Sequence, residues 1–376
     1  MRDPRLTKLA HLLVTYSTEV KPGQLVRVNG NTESLPLVRE LHRAILAAGA
    51  HPLVRIADPE LHETLLRHGS DAQLAFIPES EQREWETVDV YIGLWADANT
   101  RALTSVDPSR SAIQNKARKP LLDTMLKRAA AGEMRWCGTQ YPTQASAQDA
   151  EMSLTEYEDF VFSAGLLDHA DPAASWRQVR ETQQRLVDHL TGKKDLHLKA
   201  ANGTDLRWSV AGRTWINCAG RENFPDGEVF TGPVLDSVNG TVCYSFPAVD
   251  EGREVTDVRL TFRDGKVVDA DAGKGLDYLI STLDTDAGAR FLGECAIGTN
   301  FAITRYTRNT LFDEKIGGTM HFAIGAGYPE TGNTNESAVH WDMVVDLRPG
   351  GTLIVDGEPL LVDGRFTRPG FPSPRG

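Results

Sequence analysis

The residue pattern changes once, near residue 193, and that change bounds the folds open to the chain. Before it, apolar strand-like runs alternate with helical stretches. Helix is expected over 1–20, strand at "QLVRVNG" (24–30), helix from Thr32 or Glu33 to about Ala48, and strand at "HPLVRI" (51–56). A short helix ended by Gly69 follows, then a buried strand at 88–95, a helix over 109–131, a strand over 134–142 and helices around 154–165 and 174–191. Such alternation predicts a parallel sheet covered by helices, because parallel strands need long crossovers. After residue 193, strand-like runs are punctuated by Gly turns: "DLHLKA", "NGTDLRWSVAG", "GTVCYSF", "VRLTFRDGKVVDADAG" and "GTLIVDGEPLLVDGRF". "RDGK" is a hairpin signal, because Asp-Gly accepts the positive φ of a tight turn. One helix fits near 275–287, and "PGFPSPRG" reads as a frayed tail. The expectation is an α/β domain over 1–192 and an α+β, mainly antiparallel domain over 193–376.

Composition narrows function by exclusion. A formal net charge of −12 disfavours an electrostatic nucleic-acid binder. Cys137, Cys218, Cys243 and Cys295 form no CxxC pair, so neither structural zinc nor a disulfide framework is indicated. No apolar run approaches the roughly 20 residues of a membrane span, and the first 20 residues lack a signal-peptide core. The expectation is a cytoplasmic protein with no nucleic-acid or membrane partner. The "NGT" matches at Asn202 and Asn239 read as turns, and the seven Trp residues are too dispersed for a cofactor box. "GAGYPETG" departs from G-x-G-x-x-G spacing and carries Pro329, so a nucleotide site is discounted.

Only two histidines occur after residue 197, His321 and His340, and Asp342 follows the second by two residues. In a strand, residues i and i+2 share a face, so His340 and Asp342 point together with Trp341 opposite. On the face of His321 stand Ala323 and Gly325, which leave room beside it. An imidazole next to a carboxylate suits a divalent metal such as zinc; the competing reading is a core histidine and a surface Asp. Glu228, after a Pro-Asp-Gly turn, and Glu294, inside "FLGECAIG", lie in apolar surroundings where an acid needs a partner. A strand-edge Glu228 facing water, and a Glu294 paired with Arg305 or Arg308, are the alternatives. Arg305 and Arg308 also fit a substrate carboxylate or pairing with Asp313 or Glu314, and Lys315 is equally open. Three carboxylates and two imidazoles exceed the needs of one catalytic zinc and fit two metals sharing a bridging ligand. Tyr328 is a candidate phenolic donor or further ligand, or a loop aromatic.

In this order, "PDGEVFTGP", "GECAIGTN", "EKIGGTMHFAIGAGYPETG" and "NESAVHWDMVVDLR" resemble the M29 family of metallo-aminopeptidases, as does the N-terminal "LLVTYSTEVKPGQLVRV". The resemblance spans essentially the whole chain. It implies two divalent ions, zinc or cobalt foremost with manganese or magnesium as further options, held by Glu228, Glu294, His321, Tyr328, His340 and Asp342. It also implies a homodimer with its metal site in the C-terminal domain. The segment between Tyr328 and His340 is shorter than the family pattern, which bears on substrate length.

The implied reaction is removal of the first residue from a peptide with a free amine by a water activated between two metals, with Glu294 as base and Tyr328 as oxyanion donor. Which glutamate is ligand and which is base stays open. The alternative is a mononuclear non-haem iron dioxygenase opening a dihydroxypyridine-type ring on the same fold, since His321, His340 and Asp342 alone form a two-histidine, one-carboxylate set. A catalytically silent binding protein is a third reading.

Overall fold

Val26, Val28, Val90 and Ile92 are fully buried at the centre of a five-stranded parallel sheet. Its order is His51–Ala57, Leu25–Asn31, Val90–Trp95, Arg135–Gln140 and Asn223–Phe224. The computed structural model describes residues 3–250 and 252–374. Two compact units emerge, one of Met1–Ala173 with Gly220–Phe224, the other of Ala174–Ala219 with Pro225–Gly376. In the first, helices start where the sequence caps them: Asp58 accepts from Glu60 N, Asp107 from Ser109 N, and Ser153 with Glu156 forms a capping box. Helix Leu35–Ala47 begins after Ser34, slightly later than expected, with Pro36 in its first turn.

The division drawn from the sequence, after residue 192, lies one helix later than the break between the units. Helix Pro172–Leu190 contributes Leu186, Val187 and Leu190 to the core of the second unit. The two-residue strand Asn223–Phe224, too short to carry a periodicity, joins the first sheet instead.

The second unit has an eight-stranded antiparallel sheet and a five-stranded antiparallel sheet. Leu196, Leu206, Trp208, Val242 and Leu260 from the larger sheet pack with Ile297, Phe322, Trp341 and Met343 from the smaller. Trp208 meets Phe322 edge to face at 5.2 Å. The "RDGK" hairpin forms, with Asp264 and Gly265 at φ 47° and 81°. The tail is not frayed where described: Phe371 packs against His189 and Phe366, at ring-centroid distances of 5.5 and 5.8 Å, because an apolar ring gains more from burial than a free end gains in entropy. Arg375 and Gly376 lie outside the described residues. Among the described residues no helix is long and apolar enough to cross a membrane.

Candidate metal centre

The five-stranded sheet runs His340–Asp346, Thr319–Gly325, Leu292–Gly298, Glu228–Thr231, Ile216–Cys218. Its register aligns the candidates. Ala323 lies opposite both Glu294 and Asp342, Gly325 opposite His340, and Gly298 opposite Glu228. Directly paired residues share a face, so Glu228, Glu294, His321, His340 and Asp342 project together over a floor of Ala296, Gly298, Ala323 and Gly325. The opposite face carries the core residues Ile297, Phe322, Trp341 and Met343. Two floor glycines have no alternative. A Cβ on Gly298 would stand 2.2 Å from Ile316 O, and one on Gly325, at φ 95°, would stand 2.1 Å from Val339 O.

The functional atoms converge. His321 Nε2 lies 3.4 Å from Glu228 Oε2, 3.4 Å from Glu294 Oε1 and 3.9 Å from Asp342 Oδ1. His340 Nε2 lies 3.4 Å from Glu294 Oε2 and 3.5 Å from Asp342 Oδ2. Glu294 therefore faces one imidazole with each oxygen. Both rings are oriented by the main chain: His321 Nδ1 is 2.8 Å from Glu314 O, and His340 Nδ1 is 2.9 Å from Ala326 O. A carbonyl only accepts, so each Nδ1 carries a proton and Nε2 faces the cluster, the arrangement of metal-binding histidines. Tyr328 Oη is 3.5 Å from His340 Nε2, and its ring meets Phe230 at 5.3 Å.

One member was read from the sequence only as an arginine's partner. Glu314 follows the short helix Thr310–Asp313, and its carboxylate combines with His321 and Asp342. Among the described residues three overlapping groups place one ligand atom from each member within 4.8 Å of the others: Glu228, Glu294 and His321; Glu294, His340 and Asp342; Glu314, His321 and Asp342. Asp313 anchors this segment by accepting from Thr307 N and Oγ1 at 2.7 and 2.9 Å. Lys315, wholly buried, pairs with Glu314 and stands 3.8 Å from Glu228 Oε1. Arg308 binds Glu254 at 3.0 Å and Glu294 is engaged by the imidazoles, so the alternative of a Glu294–Arg308 pair is not what forms.

Gln183, reaching in from helix Pro172–Leu190, is a second unforeseen contributor. Its amide donates to Asn217 Oδ1, Cys218 O and Glu228 O at 2.8, 2.8 and 3.0 Å, and accepts from Thr299 Oγ1 at 3.0 Å. This fixes the backbone from which Glu228 projects. Asn333 similarly ties the segment after Tyr328 to Pro233 O, Leu292 O and Gly293 O.

Electrostatics match a site made for cations. Burial pushes Glu228 up to about 8, against the pull of Lys315. Burial likewise holds Asp342 up to about 6 despite His340. Glu294 goes the other way: burial would raise it, but hydrogen bonds from both imidazoles hold it near 2. Burial disfavours the charged rings, yet the carboxylates around them raise both His321 and His340 to about 10. Glu228 Oε2 and Asp342 Oδ1 are buried with no hydrogen-bond partner, an arrangement that costs free energy unless a cation meets them. Bonds of about 2.0–2.1 Å to a tetrahedral zinc imply ligand atoms roughly 3.3–3.4 Å apart, the spacing of the closest nitrogen–oxygen pairs here. The donor set fits divalent metal.

The chain matches the model of the thermophilic metalloproteases, M29, over residues 2–366 and belongs to that family. It is 31% identical over 408 residues to aminopeptidase 2 of Geobacillus stearothermophilus, covering 97% of this chain and 98% of the relative. Aminopeptidase T of Thermus thermophilus is 28% identical over 400 residues, covering 96% of each. The solved structure of wild-type AmpT from Thermus thermophilus matches with a TM-score of 0.85 at 26% identity, over 97% of this chain and 99% of that one. The 2,5-dihydroxypyridine dioxygenase of Pseudomonas putida matches with a TM-score of 0.60 at 13% identity, over 97% of each, a likeness of fold alone.

Proposed function

We propose that this chain is a metal-dependent aminopeptidase that releases the first residue of peptides bearing a free amine, with Glu228, Glu294, Glu314, His321, His340 and Asp342 holding two divalent ions, zinc or cobalt foremost. The observation that carries the reading is Glu294 standing between two imidazoles whose Nδ1 atoms are both committed to main-chain carbonyls. Ions held there would supply an acidified water and a positive charge to polarise the scissile carbonyl.

The protein's own groups do the rest. Glu294, ionised at neutral pH, is placed to accept a proton from the attacking water. Burial raises the Tyr328 phenol, so it stays protonated and acts as a donor toward the tetrahedral oxyanion, while Phe230 fixes its ring. An uncharged free α-amine offers a nitrogen lone pair that an ion held there would bind, and an acylated amine does not, so an unblocked first residue is favoured. Glu228 and Glu314 would have no role in a mononuclear iron dioxygenase, so the hydrolase reading accounts for more of the site. The family resemblance also supports a homodimeric, cytoplasmic protein, which sedimentation and fractionation test.

The test is hydrolysis of leucine-p-nitroanilide beside its N-acetyl derivative, before chelation, after it, and after return of zinc, cobalt or manganese. Metal-restored release from the free amine alone is expected. A metal-independent rate, or equal cleavage of the acetylated compound, would sink the proposal.

A further inference from the structure

Lys315 has no part in the reaction as described, yet it is 0% exposed. Its main chain is fixed by Lys315 N to Phe312 O and by Asn300 N to Lys315 O, at 3.1 and 3.0 Å. Its ammonium pairs with Glu314 and faces Glu228 Oε1 at 3.8 Å. Asp226, whose charge also acts on that ammonium, is buried and accepts from its neighbour Gly227 N with Oδ1. A lysine fully removed from water is costly unless acids meet it, so this one is held by those carboxylates as a fixed cation.

The pairing is uneven across the centre. The group Glu228–Glu294–His321 and the group Glu314–His321–Asp342 each contain one carboxylate that Lys315 already engages. The group Glu294–His340–Asp342 contains none. An ammonium beside a carboxylate draws off its charge and repels a second cation, strongly so in a water-poor interior.

We propose that Lys315 makes the two metal positions unequal: the ion at Glu294, His340 and Asp342 is tightly held, and the ion on the Glu228 and Glu314 side is weakly held and exchangeable. This inference rests on the two-metal reading above. It makes Lys315 a positioning residue that sets occupancy without touching the substrate.

The experiment is calorimetric titration of chelator-stripped full-length protein with zinc, checked by metal content after dialysis, for wild type, Lys315→Met and Lys315→Gln. Lys315→Met removes the charge at similar size; Lys315→Gln also keeps an N–H donor. Wild type should titrate in two steps of clearly different affinity and retain one ion on dialysis. In either folded variant the weaker step should tighten tenfold or more, with the stronger step little changed. Two equal steps in wild type would overturn the inference, and so would folded variants whose weaker step is unchanged or loosened. A wild type that takes fewer than two ions would overturn the two-metal reading and this inference with it.

Discussion

Glu294 and His340 meet through Oε2 and Nε2 at 3.4 Å while the other oxygen of Glu294 meets His321 at the same distance. Glu294→Gln keeps the size and removes the charge between the rings. Hydrolysis should fall by at least ~100-fold, the lower range for losing an acid–base group, and zinc affinity should fall with it. Activity within a few-fold of wild type would remove Glu294 from both roles.

Metal uptake should release protons. With both imidazoles raised to about 10, the metal-free centre holds them protonated at pH 7, and Nε2 must be vacated before it can bind an ion. Apparent affinity should therefore rise between pH 6 and pH 8. Calorimetry in buffers of different ionisation heat counts the protons; a count of zero would contradict the assignment of the histidines.

The same shifts give the stripped protein a pH-dependent stability. A histidine raised in the folded state contributes stability that is fully present below about 6.5, its ordinary value, and is lost as pH climbs through about 10. Glu228 and Asp342, raised to about 8 and 6, act in the same direction at lower pH: their ionisation in the unfolded chain favours unfolding as pH rises. The melting temperature of chelated protein should decline from pH 6 to pH 10, and bound metal should flatten that decline.

Tyr328→Phe deletes one hydroxyl and keeps the ring against Phe230. The expected result is a ~100-fold lower kcat with KM and melting temperature nearly unchanged, as for removal of an oxyanion donor. A rise in KM alone would make Tyr328 a substrate contact and nothing more.

Gln183→Leu tests the support beneath Glu228. It removes the buried amide that donates to Cys218 O and Glu228 O, which should cost about 2–3 kcal/mol of stability and loosen metal binding. Denaturant unfolding of the metal-loaded protein measures the first, and a zinc titration the second.

Much of the centre was legible because sheet geometry is simple. His340 and Asp342 stand two apart, so a strand aims them together, and the small residues beside His321 announced open space. Glu314 was hidden for the opposite reason. It lies in a turn after a four-residue helix, inside the charged run "DEK", where local pattern gives no direction and an acid resembles a solvated one. Gln183 was hidden by distance along the chain: a polar residue on a helix declares nothing until strands more than thirty residues away fold against it. The parallel sheet could be foreseen from its apolar strands, but not its fifth member, Asn223–Phe224, which is too short to show an alternation.

The acceptors that set both imidazoles, Glu314 O and Ala326 O, belong to the main chain, and this separates two kinds of information. The side chains around the centre decide how much charge is offered to a divalent cation. Which nitrogen is offered is decided by the path of the polypeptide alone. The carboxylates can then be exchanged one at a time, to retune the preferred metal, with the rings still aimed. An engineer would find here a pair of preset ligands and an adjustable set of anions.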